Sequence, residues 1–218
     1  MKKILKVTGK GSISLKPDSV RIFINLTATK RRYDETLAQS VKDANEIKQC
    51  IEELGFSKED LKTNSFNVNM QYENQKTAND VWKRVLVGYT YSHQLKLEFK
   101  RNQQELGKVL YALANSQLKP EIDITYTIMD IEKAKNELLA RAVEDSKNKA
   151  KILAKASDVK LGDIVNIIYS KEEKSFVTAP VRAMALKGDA RNDSAYDIDI
   201  EPDNIVADDT VTIIWEIN

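Results

Sequence analysis

The chain has 218 residues, with 34 Lys and Arg, 33 Asp and Glu, one His and one Cys, and its net charge is +1. This length provides one large domain or two small ones, and one Cys supplies neither a disulfide framework nor a zinc site. The near-zero charge argues against a dedicated nucleic-acid binder, which would carry a large basic excess. The longest apolar run, Val109–Ala114, is far shorter than the ~20 residues that span a bilayer.

The charges are unevenly distributed along the chain. Residues 1–32 hold nine basic residues and one acidic residue, whereas residues 189–209 hold eight acidic residues and one basic residue. Opposite charges of this kind attract within a chain or between subunits; the alternative is two independently solvated faces. The candidate assembly or partner contacts are four lysines and four acidic residues: Lys2, Lys3, Lys6, Lys10, Asp197, Asp199, Glu201 and Asp203.

Alternation of apolar and polar residues predicts several strands. It is clear in five segments: 20–28, 66–72, the odd positions of 85–99, 122–128 and 211–217. Strands that alternate in this way are typical of an antiparallel sheet covered on one face.

Apolar residues at three- and four-residue spacing predict three helices between the strands. The first contains Leu37–Leu54 and ends at Gly55, the second begins near Asn102, and the third spans roughly 130–157. Alanines on the third helix would allow it to approach a sheet closely. A strand opened by Gly162 follows.

The order of elements from residue 19 to 128 is β-α-β-β-α-β, which is typical of a ferredoxin-like unit. We therefore predict a single α+β domain over residues 1–218, with an antiparallel sheet extended by the long helix and further strands. Residues 73–83 are predicted as a long loop, and residues 171–204 as a flexible polar segment that a partner could order. Gly9 and Gly11 are expected to allow a bulge or a bend between short strands.

No catalytic constellation is visible in the sequence. The one histidine, His93, falls between Tyr91 and Leu95 on an apolar strand face, which favours a packing role, and Cys50 lies within a helix. Alternation would place Asp197, Asp199, Glu201 and Asp203 on one exposed strand face, but the spacing lacks the Gly and Glu of a calcium loop. We expect no cofactor, no metal and no enzymatic activity.

Several segments together resemble the SIMPL-domain family, which includes YggE-like proteins and bacterial periplasmic immunogenic proteins. The segments that carry the resemblance lie in order along the whole chain: Val7–Gly11, Pro17-Asp18, Leu54–Phe56, Asp60-Leu61, Thr63, Phe66, Gly88-Tyr89, Ala142–Ala150, Leu161-Gly162, Pro180–Met184, Ile200–Pro202 and Val211–Ile217. The resemblance implies an α+β fold, assembly of some relatives into large oligomers, and an association with stress tolerance. It implies no catalytic residues.

These observations lead to three hypotheses of function. The first is a non-enzymatic, self-associating binding or scaffold protein that forms a homo-oligomer. The second is a small-molecule-binding or catalytic protein with a pocket near His93, and the third is nucleic-acid binding through the basic N-terminal segment. Because the first motif follows Met1 without an apolar leader, we expect a cytoplasmic location, although many relatives are periplasmic or exported.

Overall fold

The protein is described by a computed structural model over residues 3–76, 82–170, 175–182 and 201–218. The strands are β1 (Ile4–Leu15), β2 (Ser19–Lys30), β3 (Leu61–Lys76), β4 (Trp82–Lys100), β5 (Glu121–Thr127), β6 (Leu161–Ile168), β7 (Val181–Arg182) and β8 (Ile205–Ile217). The helices are α1 (Tyr33–Glu52), α2 (Gln103–Asn115) and α3 (Ile131–Ala156), with a short 3-10 helix at Lys58–Asp60. The α+β fold is confirmed.

The chain forms two compact units. One consists of Met1–Asp18, Thr127–Thr178 and Pro202–Asn218, and the other of Ser19–Tyr126 and Ala179–Glu201. We call them the outer-segment unit and the central unit. The assignment of residues 1–218 to a single domain stays a prediction. Within the described ranges, no helix has the length and apolarity needed to cross a membrane.

The central unit is built on a sheet with the strand order β3-β4-β2-β5-β7. Helix α1 connects β2 to β3, and β4 lies between those two strands. Helix α2 connects β4 to β5, and β2 lies between that pair. This split arrangement is the one predicted from the β-α-β-β-α-β order.

The core of the central unit lies between this sheet and its two helices. The alternating residues of β2 from Val20 to Leu26 are buried, and they form one cluster with Leu95 and Leu97 of β4 and with the apolar faces of α1 and α2. Helix α2 begins where predicted, because the Asn102 side chain accepts hydrogen bonds from the first free backbone N–H groups. Gly55 follows α1 with a φ of 96°, a conformation that favours glycine.

The outer-segment unit is a three-stranded sheet with the order β1-β8-β6 and α3 packed on it. β1 and β8 pair antiparallel without a break from Ile4 opposite Glu216 to Leu15 opposite Ile205. Ala142 and Ala150 of α3 are fully buried against Val7, Ile213 and other apolar residues of these strands. The close approach expected of the α3 alanines is therefore observed.

The prediction for the two N-terminal glycines was wrong. Gly9 and Gly11 lie within one regular strand, which has neither a bulge nor a bend at these positions. They are needed because α3 passes directly over them: a Cβ on Gly11 would lie 2.1 Å from the carbonyl oxygen of Leu138.

Both predicted loops contain regular structure. β3 continues to Lys76 and β4 begins at Trp82, so most of residues 73–83 are strand. Within 171–204, Phe176 is buried and Val181–Arg182 pairs with β5. Residues 171–174 and 183–200 lie outside the described residues, so their predicted flexibility stays a prediction.

The predicted acidic strand face is also corrected. Glu201 and Asp203 precede β8, which begins at Ile205, and they are not in a strand. Asp197 and Asp199 lie outside the described residues.

Candidate functional site

His93 is a partly buried side chain on the helix-covered face of the central sheet. Its neighbours across the strands are Leu26 and Phe66, and its ring meets the Phe66 ring edge-on at a centroid distance of 5.2 Å. The Nε2 atom lies 2.9 Å from the Thr63 hydroxyl, whereas Nδ1 is buried without a hydrogen-bond partner among the described residues. Burial, assisted by the positive charge of Lys48, lowers the pKa of His93. The packing against apolar side chains agrees with the role inferred from the sequence, but the ring is not fully hydrogen-bonded, since Nδ1 lacks a partner among the described residues.

The environment of Cys50 is not that of an activated nucleophile, because it raises the pKa of the thiol. It is partly buried in α1, and burial raises the pKa of its thiol, with the nearby carboxylates of Glu53 and Glu46 acting in the same direction. A reactive cysteine needs a lowered pKa. Among the described residues, no group of three His, Cys, Asp or Glu side chains is placed to hold a metal ion.

An open cavity of about 480 Å³ lies on the other face of the central sheet. It is lined by Phe23, Gln94, Asp123, Thr125 and Pro180. This is not the predicted pocket near His93, because successive residues of a strand point to opposite faces and Gln94 follows His93 directly.

The polar groups at this cavity are engaged with one another. Gln94 Nε2 donates to Asn25 Oδ1 at 2.8 Å, and Asn25 Nδ2 donates to Asp123 Oδ2 at 3.1 Å. This relay connects β4, β2 and β5.

An exposed apolar feature of the central unit lies on the β3–β4 hairpin. β2 ends at Lys30, whose partner in β4 is Tyr89. Beyond that point β3 and β4 continue as a two-stranded ribbon, which we call the hairpin arm (residues 71–76 and 82–88). β3 is also an edge strand of the sheet along its whole length.

One face of this hairpin carries a row of exposed apolar side chains. Phe66, Val68, Met70 and Tyr72 alternate along β3, as predicted, and point to the same face. In the arm, Tyr72 lies opposite Leu86, and Trp82 lies opposite Lys76 on the same face. We call Phe66, Met70, Tyr72, Trp82 and Leu86, all exposed, the hairpin stripe.

The stripe is ordered by contacts within it. The Tyr72 hydroxyl donates to Met70 Sδ at 3.4 Å, and the Arg84 guanidinium lies 4.3 Å from the centroid of the Tyr72 ring. A cation over an aromatic ring is attracted to the face of that ring.

Two of the five stripe residues, Trp82 and Leu86, fall outside the predicted alternation because of a β-bulge. Gln71 pairs with Gly88 but Tyr72 pairs with Leu86, which leaves Val87 as the extra residue. The bulge moves the even positions Leu86 and Trp82 onto the face that odd positions occupy further along β4. The expectation that odd positions from Val85 form one uninterrupted face is therefore wrong. The sequence contains no separate signal for the bulge.

The predicted charged contacts do not form one site in the described residues. Lys10 Nζ pairs with Asp208 at 3.1 Å, and Glu201 pairs with Arg101 at 2.9 Å. Lys3, Lys6 and Asp203 are also described, and all three are at least partly exposed. Lys2, Asp197 and Asp199 lie outside the described residues. A role in assembly for these eight residues stays a prediction.

Known proteins provide a comparison. Two proteins named 26 kDa periplasmic immunogenic protein are similar to this chain: the one from Brucella melitensis biotype 1 is 24% identical over 163 residues, and the one from Brucella abortus strain S19 is 23% identical over 163 residues. The matches cover 75% of this chain and 65% of each relative. The name describes those relatives as periplasmic, and the cytoplasmic expectation finds no support in them.

The family comparison covers nearly the whole chain. A family model described as SIMPL, a protein of unknown function (DUF541), matches residues 5–215, which include described parts of both units. The resemblance noted in the sequence is confirmed, and the chain belongs to the SIMPL family.

Proposed function

We propose that this protein is a non-enzymatic, self-associating binding or scaffold protein, and that two copies pair along β3. The observation that carries the proposal is the exposed apolar stripe on an edge strand that extends past the sheet. An edge strand presents unpaired backbone donors and acceptors that a second strand can satisfy. Exposed apolar patches of this kind are typical of interaction sites.

Between its register shifts at Thr63/Ser65 and Gln71/Tyr72, β3 lacks two of the features that protect edge strands from pairing. Residues 63–72 contain no charged residue and no proline, although charges and prolines are the usual means of preventing edge-to-edge association. Two β3 strands related by a two-fold axis would pair antiparallel. A pairing centred on Val68 places Phe66 of one copy beside Met70 of the other, and it extends the apolar face across both sheets.

The charged segments have a secondary role in this proposal. Lys10 and Glu201 already have partners within the chain, so their charges are partly neutralised. In this proposal the lysines of residues 1–32 and the acidic residues of 189–209 orient the subunits as they approach each other. The main attraction between subunits comes from the apolar stripe.

Solution mass of the Met70→Lys variant tests the proposal. In the symmetric pairing each new lysine lies close to the apolar stripe of the other copy, and we expect the dissociation constant to rise at least about tenfold. Val41→Lys is the matched control, because Val41 lies on α1 and its exposure of 60% is close to the 58% of Met70. Sedimentation velocity should show association of the wild type and the control. A monomeric wild type at high concentration, or equal weakening by both substitutions, would refute pairing along β3.

A further inference from the structure

The sheet of the outer-segment unit is only partly covered by α3. In β6, Ile164 lies opposite Trp215 and Ile167 lies opposite Ile213, so all four side chains point to the face on which α3 packs. Trp215 and Ile213 are 3% and 0% exposed, whereas Ile164 and Ile167 are 44% and 54% exposed. The helix covers β1 and β8 and leaves the β6 part of the same face open.

The side of α3 that faces this open area carries two exposed lysines, Lys147 and Lys151. Asp145 accepts a hydrogen bond from the Lys10 N–H at 2.7 Å and pairs with Lys149, which places both side chains at the outer edge of β1. Residues two positions away on a helix lie about 200° around its axis. Lys147 and Lys151 are therefore on the opposite flank of α3, towards β6, and both are exposed.

The open area has the dimensions of a second helix. Packed helices lie about 8–10 Å apart, and neighbouring strands lie about 4.8 Å apart. A helix beside α3 would therefore lie about two strands away, over β6. Addition of a strand to the β6 edge is less favourable, because register shifts between Leu161 and Ile164 and between Ile164 and Asn166 interrupt its pairing.

We propose that this face binds an amphipathic acidic helix of another protein. Its apolar side packs on Ile164 and Ile167, and its acidic residues face Lys147 and Lys151. Recognition by an apolar stripe laid into a groove follows the usual helix-in-groove mode. This binding site is distinct from the β3 pairing surface and does not depend on self-association.

The test uses a fluorescein-labelled synthetic peptide of about five helical turns. It carries Leu at i, i+3, i+4 and i+7 positions and Glu on both flanks, and its binding to the full chain is followed by fluorescence anisotropy. We expect Ile167→Glu to weaken binding at least about tenfold. The control is Val206→Glu, because Val206 is 70% exposed on the opposite face of the same sheet. Urea unfolding of each variant confirms that it is folded.

A charge exchange tests whether the acidic residues of the bound helix face Lys147 and Lys151. The Lys147→Glu/Lys151→Glu variant should lose affinity for the acidic peptide and gain affinity for a peptide with Lys in place of Glu. Lys42→Glu/Lys108→Glu, at two exposed lysines of α1 and α2, is the control with the same change in net charge. The Met70→Lys variant should bind the acidic peptide as the wild type does, which separates this proposal from self-association.

Three outcomes would overturn the proposal. The wild type could fail to bind the acidic peptide, or Ile167→Glu and Val206→Glu could bind it equally. Infrared spectra of isotope-labelled peptide could also show an added strand in place of a bound helix.

Discussion

Gly9 faces the main chain of α3 so closely that a Cβ at this position would lie 2.1 Å from the carbonyl oxygen of Ala142. The strand and the helix thus meet backbone to backbone, and Ser146 Oγ donates to the carbonyl oxygen of Val7 at 3.0 Å in the same contact. Neither element can give way locally at this contact, because the nearest opposing atoms belong to the main chain.

Gly9→Ala should therefore destabilise the protein strongly. The added methyl group must displace α3, and we expect a loss of about 3 kcal/mol, at the upper end of the range for overpacking. Urea unfolding measures the change. Ser12→Ala, on the exposed face of the same strand, is the control and should change stability by less than about 0.5 kcal/mol. Equal stability of Gly9→Ala and the wild type would show that α3 does not press on β1.

Tyr91 and Asp43 form a buried polar pair beneath α1. The Tyr91 hydroxyl donates to Asp43 Oδ2, and Gln39 Nε2 donates to Asp43 Oδ1 at 2.7 Å. Tyr91→Phe leaves the buried carboxylate with one partner fewer, and we expect a loss of about 1–3 kcal/mol at pH 7. Chemical denaturation measures it, with Tyr111→Phe as a control at a more exposed tyrosine.

The same pair predicts a loss of stability in alkali. Burial raises the pKa of Tyr91 far above its ordinary value, and the hydrogen bond to Asp43 acts in the same direction. The unfolded chain therefore ionises first, so this contribution is complete below about pH 10 and is lost as the pH rises further. The stability difference between wild type and Tyr91→Phe should shrink above that pH. A difference that stays constant to pH 11 would contradict the assigned environment.

His93 predicts a loss of stability in weak acid. Its pKa is lowered by burial and by Lys48, so the unfolded chain takes up the proton more readily. The contribution of the neutral ring is complete above about pH 6.5, the ordinary value, and is lost as the pH falls below it. Because the sequence has one histidine, its NMR titration is unambiguous. The midpoint of that titration should lie below the ordinary histidine pKa of about 6.5. His93→Gln should remove this part of the pH dependence of stability. A midpoint at the ordinary histidine value in the wild type would contradict the lowered pKa of His93.

Salt should have a small effect on self-association. If the apolar stripe supplies the main attraction, raising NaCl from about 50 to 500 mM should weaken association by about threefold or less, because salt screens only the exposed charges. Sedimentation equilibrium at several salt concentrations measures this dependence. Complete dissociation at high salt would instead assign the main attraction to the charged segments that include Lys10 and Glu201.

The central unit was the part of the fold most readily predicted from the sequence. β2 alternates cleanly because one of its faces packs on α1 and α2, and these two helices carry regular apolar spacing with recognisable ends, such as the Asn102 cap of α2. These signals are local. Each depends on residues that are close together in the sequence, so it can be recognised without knowledge of the tertiary contacts.

The candidate surfaces could not be predicted because they depend on where neighbouring elements stop. Met70 and Leu86 have the same apolar character as core residues, but Met70 lies on an edge strand at the level of the last residue of β2, and Leu86 lies beyond the end of β2. Ile167 is exposed because α3 lies over other strands. The steric role of Gly9 likewise requires knowledge of which helix passes above it.

The pairing of β1 with β8 determines when each unit can fold during synthesis. The strands and helices of the central unit between Ser19 and Tyr126 emerge from the ribosome before Ile205–Ile217. β1 must therefore remain without its sheet partner while most of the chain is made, since β8 is the strand that fills the space between β1 and β6. The central unit can fold co-translationally. The sheet of the outer-segment unit forms late, because β1 and β8 are separated by most of the sequence. A delay in their pairing leaves β1 exposed to chaperones.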